Sequence, residues 1–244
     1  MKKRVLIIVI LIITVLGLSY NYFSDRQETV VYQENTELVE VINYDELLDY
    51  LNLFQPGDII NIENTNYLSS YAIPGRWKHT IFYLGTYQQF TDFFTVEDKY
   101  YQEILSKYQT FDEILVLDSN STGVKIRNLD QMANLKSDSY LKALSGYRFN
   151  EESSFIKNYL NKALDYLGTP YDYGMVTYDD SALYCSELIY YALLANNIEI
   201  TQTTTVIDRN LITPSNVSDF LETQSNVEHV YLLEKKNGQV INQC

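Results

Sequence analysis

The sequence predicts an α+β domain, with a small antiparallel sheet packed on helices. Three observations carry this. Short apolar runs bounded by turn residues recur between residues 58 and 149. Two apolar stretches at helical spacing follow, over 152–167 and 182–195. A late strand comes after them, so strands and helices are segregated rather than alternating. The chain has 244 residues, 46% hydrophobic and 20% charged, which fits one globular domain with appendages.

The elements run as follows. Asp45 to Phe54 places Leu47, Leu48 and Leu51 on one helical face and stops at Pro56-Gly57. Asp58 to Ile62 is a strand, and the loop 63–78 contains Pro74-Gly75. His79 to Leu84 is a strand ending at Gly85. Residues 86–112, rich in Tyr and Phe, form an insertion or lid, helical around Tyr100 to Tyr108. Ile114 to Asp118 is a strand, Ser119 to Gly123 the turn, and Val124 to Arg127 the returning strand. Leu129 to Leu135 is a short helix and Tyr140 to Phe149 a strand. Glu152 to Leu167 is the clearest helix, with Phe155, Ile156, Tyr159, Leu160, Ala163, Leu164 and Leu167 in one stripe. A second helix runs from about Ala182 to Ala195, with Asp179, Asp180 and Ser181 as cap candidates. A short helix after Pro214 and a strand Val227 to Leu233 close the domain.

Ahead of this body, residues 1–4 are a basic end and 5–20 an apolar run, and 21–40 read as a polar linker. Basic, apolar, polar is the order of an export signal. Val15-Leu16-Gly17 matches a cleavage site poorly, so an uncleaved transmembrane anchor is expected, with a cleaved signal peptide as the alternative. Either places the body outside the cytoplasm.

The net charge is −14, and three of the 18 bases stand at positions 2–4. So acidic a body has no electrostatic footprint for nucleic acid. Two Cys and two His exclude a disulfide-dense scaffold and a zinc finger. No cofactor or metal is expected. His229, in a late apolar strand, reads as structural, and Cys244 as a frayed end, although a Cys185–Cys244 disulfide is conceivable.

Three residues remain for chemistry. Cys185 lies near a helix start, where the dipole favours a thiolate and free N–H groups face a developing oxyanion. The competing reading is a small buried apolar residue. His79 opens a strand and is held stiffly, as a general base should be, or is simply a structural strand-end imidazole. Asp118 ends the next strand, from which a carboxylate can fix the imidazole tautomer; a turn residue is the alternative. Tyr171, Tyr184 and Trp77 are candidates to line a cleft or donate to an oxyanion, against plain packing in a chain with 23 Tyr. Glu187 reads as a structural or cap partner.

These residues sit in a recognisable series. Pro56-Gly57-Asp58-Ile59, Pro74 to Gly85 with Lys78-His79-Thr80, Gly168-Thr169-Pro170-Tyr171-Asp172-Tyr173 and Tyr184-Cys185-Ser186-Glu187-Leu188 occur in that order, with Ile212-Thr213-Pro214-Ser215 later. The set resembles the circularly permuted NlpC-type papain-fold cysteine hydrolases, the YiiX-like permuted amidases. The resemblance spans about residues 45–233. It implies a papain-like domain over 41–244, a Cys185 nucleophile, a His79 base and a third polar member at Asp118, where Glu is the more usual residue.

The implied activity is thiol hydrolysis of an amide or ester through an acyl-enzyme. Cell-wall peptides and lipid amides or esters are the substrate classes considered. Acyl transfer to another acceptor and an inactive surface binding module are the competing readings.

Overall fold

The computed structural model describes residues 40–65, 73–175, 179–206 and 208–244. The expected anchor and nearly all of the linker lie outside these residues. Among the described residues, no helix is long and apolar enough to cross a membrane.

The sheet is larger than expected. Among the described residues it has seven strands: β1 (Ile59–Asn64), β2 (His79–Thr86), β3 (Ile114–Asn120), β4 (Gly123–Asn128), β5 (Leu141–Phe149), β8 (Val227–Lys236) and β9 (Gln239–Asn242). Their order is β4-β3-β2-β1-β5-β8-β9, every pair antiparallel. A separate hairpin pairs β6 (Thr204–Val206) with β7 (Arg209–Leu211). Sequence reading missed this hairpin and β9, both only three or four residues long.

Strand alternation divides the core between two faces. On β2, Phe82 and Leu84 join a cluster with Tyr159, Leu160, Leu188, Ala192, Val217 and Leu221 from the helices. Ile81 and Tyr83 join Leu47, Phe54, Leu129 and Leu141 on the other face. The central strands are thus buried on both sides, which explains their near-continuous apolar runs.

The helices are α1 (Tyr44–Leu48), α2 (Tyr87–Phe93), α3 (Tyr101–Leu105), α4 (Ser153–Leu164), α5 (Cys185–Leu194) and α6 (Pro214–Thr223). α1 is shorter than expected and passes into a 3₁₀ turn at Leu51–Leu53. Residues 129–134 are also 3₁₀, kinked at Ala133, which takes φ 50°. The 86–112 segment departs from β2 at the end opposite His79. Seven residue steps along a strand separate the two by about 24 Å. Phe90, Phe94 and Ile104 from this segment are buried in the helix-side core. Its aromatic density is therefore packing.

Two turns fix the frame around the strands. Gly57 takes φ 97°, and a Cβ there would lie 2.2 Å from Ile156 Cγ2. Next to it, the buried Asp58 carboxylate accepts from Arg148 Nε and NH2 at 2.7 Å each, and Tyr159 Oη donates to the Gly57 carbonyl. The Pro56-Gly57-Asp58 sequence thus ties β1 to β5 and α4.

Candidate active site

Cys185 is the first residue of α5, three residues later than the sequence suggested. The expected caps act elsewhere: Asp179 accepts from the Ser181 amide, and Asp180 from Tyr166 Oη. The cap that forms is Glu187, whose Oε2 accepts the Tyr184 N–H at 3.1 Å. First-turn amides have no intrahelical acceptor, so those of Cys185 and Ser186 are free to face an oxyanion beside the sulfur.

Several contacts set this helix start against the sheet. Ser119 Oγ donates to the Leu183 carbonyl at 2.6 Å, and the Leu183 N–H donates to Pro170 O. Gly168 and Thr169 exchange backbone bonds with Val124 at the start of β4. The Gly168-Thr169-Pro170 sequence is therefore the clamp that carries residue 183 to β3 and β4.

His79 is the first residue of β2, as expected. It shares a sheet face with Ile81 and Tyr83. Phe82 pairs with Leu117, so continuing the register sets Asp118 opposite Ile81, on His79's face and two residues along. His79 Nε2–H donates to Asp118 Oδ2 at 2.9 Å. The other ring nitrogen, Nδ1, is left for the Cys185 thiol, which lines the same cleft and interacts electrostatically with the imidazole. The structure thus brings Cys185, His79 and Asp118 together. Asp118 lies inside β3, two residues before its end, rather than at the turn.

Arg127 extends the chain of contacts. Its Nε donates to Asp118 Oδ1 at 2.5 Å, and its NH2 reaches Asn120 Oδ1 and the Gly123 carbonyl. Sequence reading missed it. The signal was there: in the β3–β4 hairpin Asp118 pairs with Lys125, and Arg127 is the next residue on that face.

The electrostatics favour an ion pair. Burial pushes the His79 pKa down, but the Cys185 thiolate and the Asp118 carboxylate outweigh it and raise it to about 10. Burial pushes the Cys185 thiol up, but the imidazolium and the Thr80 N–H reverse this and lower it. Glu187 is raised to about 8 by burial, with the Asp172 and Cys185 charges adding to the effect.

Cys185 lies where two cavities meet. One of about 40 Å³ is almost wholly apolar, lined by residues including Ile73, Tyr171, Met175, Val206, Leu211 and Pro214. The other, about 210 Å³, is a mixed polar and apolar cleft that includes Lys78, His79, Asp118, Asn120, Tyr171 and Tyr173. Tyr171 lines both, and Tyr184 lines the apolar one. Burial raises both phenols, Tyr171 further through the thiolate, so both stay protonated and able to donate. Trp77 lines neither cavity. Its ring lies under the Arg76 guanidinium at 4.5 Å, and its backbone N–H donates to Ser215 Oγ at 3.1 Å. None of residues 86–112 lines either cavity.

The Ile212-Thr213-Pro214-Ser215 sequence also has a place. Thr213 caps α6 by accepting from the Asn216 N–H. Ser215 pins the loop that leads to His79: a Cβ on Gly75, at φ 87°, would lie 2.2 Å from Ser215 Oγ. His229 is structural, bonded to Ser145 Oγ at 2.8 Å and stacked on Tyr147. Cys185 is buried, Cys244 is exposed, and both thiols are free. Among the described residues, no group of three or more His, Cys, Asp or Glu is placed to hold a metal ion.

Comparison with known proteins gives a family. The family described as "Permuted papain-like amidase enzyme, YaeF/YiiX, C92 family" matches residues 53–240. Among solved structures, the chain is similar to the metalloprotein yiiX from Escherichia coli O157:H7, at 16% identity and a TM-score of 0.44. That similarity covers 78% of this chain and 96% of that one. No curated protein matches.

Proposed function

From the premise that this chain belongs to the permuted papain-like amidase family, we propose that it hydrolyses amide or ester bonds through Cys185, His79 and Asp118. The chain is a papain-like cysteine amidase by family. The observation that carries the residue assignment is that Cys185, His79 and Asp118 line one cleft, with His79 bonded to Asp118 and Asp118 to Arg127.

His79 Nδ1 takes the Cys185 proton, and the thiolate attacks the substrate carbonyl carbon. The oxyanion forms beside the first-turn amides of α5 and the Tyr171 hydroxyl. The imidazolium then protonates the leaving amine or alcohol as its bond to the carbonyl carbon breaks, which leaves a thioester on Cys185. Water, deprotonated by His79, attacks the thioester, and the acid departs as the thiol regains its proton. Asp118 holds the tautomer and stabilises the imidazolium throughout.

The substrate class follows from the cavities. The apolar pocket beside the sulfur, about 40 Å³, suits a small apolar group next to the scissile carbonyl. The basic-then-apolar order of residues 1–20 supports a membrane-anchored enzyme acting outside the cytoplasm.

The test is alkylation of Cys185 by iodoacetamide across pH in a Cys244→Ser background. Rapid reaction at pH 6 that His79→Ala abolishes is the expected result, since an unperturbed thiol titrates near 8.5. A thiol that reacts only in alkali, with or without His79, overturns the assignment.

A further inference from the structure

The larger cleft carries a charge that the hydrolytic reaction does not use. Lys78 lines it beside His79, and the chain around it is strongly acidic. The Lys78 ammonium donates to the carbonyls of Ile73 and Gly75, 2.7 Å each. An ammonium has three donors and these acceptors are neutral, so one donor and the full charge remain. Among the described residues no carboxylate forms an ion pair with Lys78. Glu63 acts on it through space but is engaged by Arg76 and Lys142. Residues 66–72, 176–178 and 207 contain no Asp or Glu. Asp118 is the one carboxylate lining the cleft, and it is already shared between His79 and Arg127.

Among the described residues, an anion entering this cleft therefore meets a fixed cation and no free acid. We infer that Lys78 is a specificity-determining residue that receives a substrate carboxylate flanking the scissile carbonyl. The substrate class is then an amide with an apolar group on one side and an acid on the other, such as an N-acyl amino acid. This rests on Cys185 being the attacking group and adds what the cleft beside it selects. The two backbone acceptors hold the ammonium in place, so little side-chain freedom is lost on binding.

The probe is a pair of alkylating reagents that differ only in charge. Iodoacetate carries the carboxylate and iodoacetamide does not, and both transfer a two-carbon unit to Cys185 Sγ with loss of iodide. The full chain with Cys244→Ser is treated with each at pH 7, and the rate ratio is normalised to that of free cysteine. Lys78→Gln is expected to lower the iodoacetate-to-iodoacetamide ratio about five- to tenfold. Lys78→Arg restores it, and salt erodes the wild-type preference. An unchanged iodoacetamide rate in Lys78→Gln certifies an intact site. If Lys78→Gln disturbs folding, the salt titration of the wild type and the Lys78→Arg ratio decide. A ratio that is indifferent to Lys78 and to salt overturns the inference. The ratio is readable at any absolute rate, so slow alkylation with a Lys78-dependent ratio would sink the activated thiolate and leave the anion site standing.

Discussion

At the scale of single residues, Asp118 joins the His79 imidazole to the Arg127 guanidinium. It is fully buried, and its two oxygens serve different partners, His79 and Arg127. Asp118→Asn would leave the Arg127 charge without its counter-ion and remove the charge that helps raise the His79 pKa. The expected outcome is a loss of about 3 kcal/mol in chemical denaturation. The alkylation midpoint of Cys185 should also rise by about one pH unit or more. A variant as stable as the parent, with an unmoved midpoint, would show that the carboxylate neither pairs the guanidinium nor tunes the imidazole. Residue identities were the most legible level of the sequence. Cys185, His79 and Asp118 stood out because so few Cys and His exist and because two of the three sit at element boundaries. Arg127 did not, since one arginine on a short strand looks like solvent-facing charge until the hairpin register is known. Trp77 stands two residues from His79 in sequence, yet it lies in the loop before β2, with its ring against the Arg76 guanidinium and its backbone N–H held by Ser215.

At the scale of elements, α5 decides where the sulfur is. Its start depends on Glu187, a buried carboxyl that accepts the Tyr184 N–H and faces Asp172, with Tyr191 and Tyr184 nearby. Its folded pKa of about 8 is above its ordinary value of 4.5. The group therefore contributes its full stability below pH 4.5, and the contribution falls as pH rises through about 8. Glu187→Gln should flatten the decline in melting temperature between pH 5 and pH 8, and an unchanged slope would refute the assignment. Strands with continuous apolar runs and the stripe of α4 were readable to within a few residues. The boundaries of α5 were not: apolar Ala182 and Leu183 continue the helical pattern, yet Leu183 lies before the helix and commits its backbone groups to Ser119 and Pro170. The β6–β7 hairpin escaped because each strand is three residues long, too short for a period-two pattern.

For the whole molecule, the sheet is the organising surface, closed on both faces and tightest at its centre. Gly146 in β5 is one such point, where a Cβ would lie 2.0 Å from the buried Tyr231 ring. Gly146→Ala should cost about 1–3 kcal/mol by chemical denaturation, and a neutral result would mean that the ring can move aside. The α+β class was legible from the segregation of strands and helices. The seven-strand width was not, because β9 has little apolar signature and joins only by continuing the turn after β8. The order of the chain through this sheet has a temporal meaning. The base and its carboxylate lie on adjacent strands joined by the 86–112 segment, whereas the sulfur arrives 106 residues after His79. During synthesis the acceptor of the proton is made first and the thiol last. The thiol meets its base only once β3, β4 and the 168–170 clamp have closed around residue 183. A chain in which these elements have not yet closed thus carries an ordinary thiol, and reactivity at Cys185 reports their assembly around it.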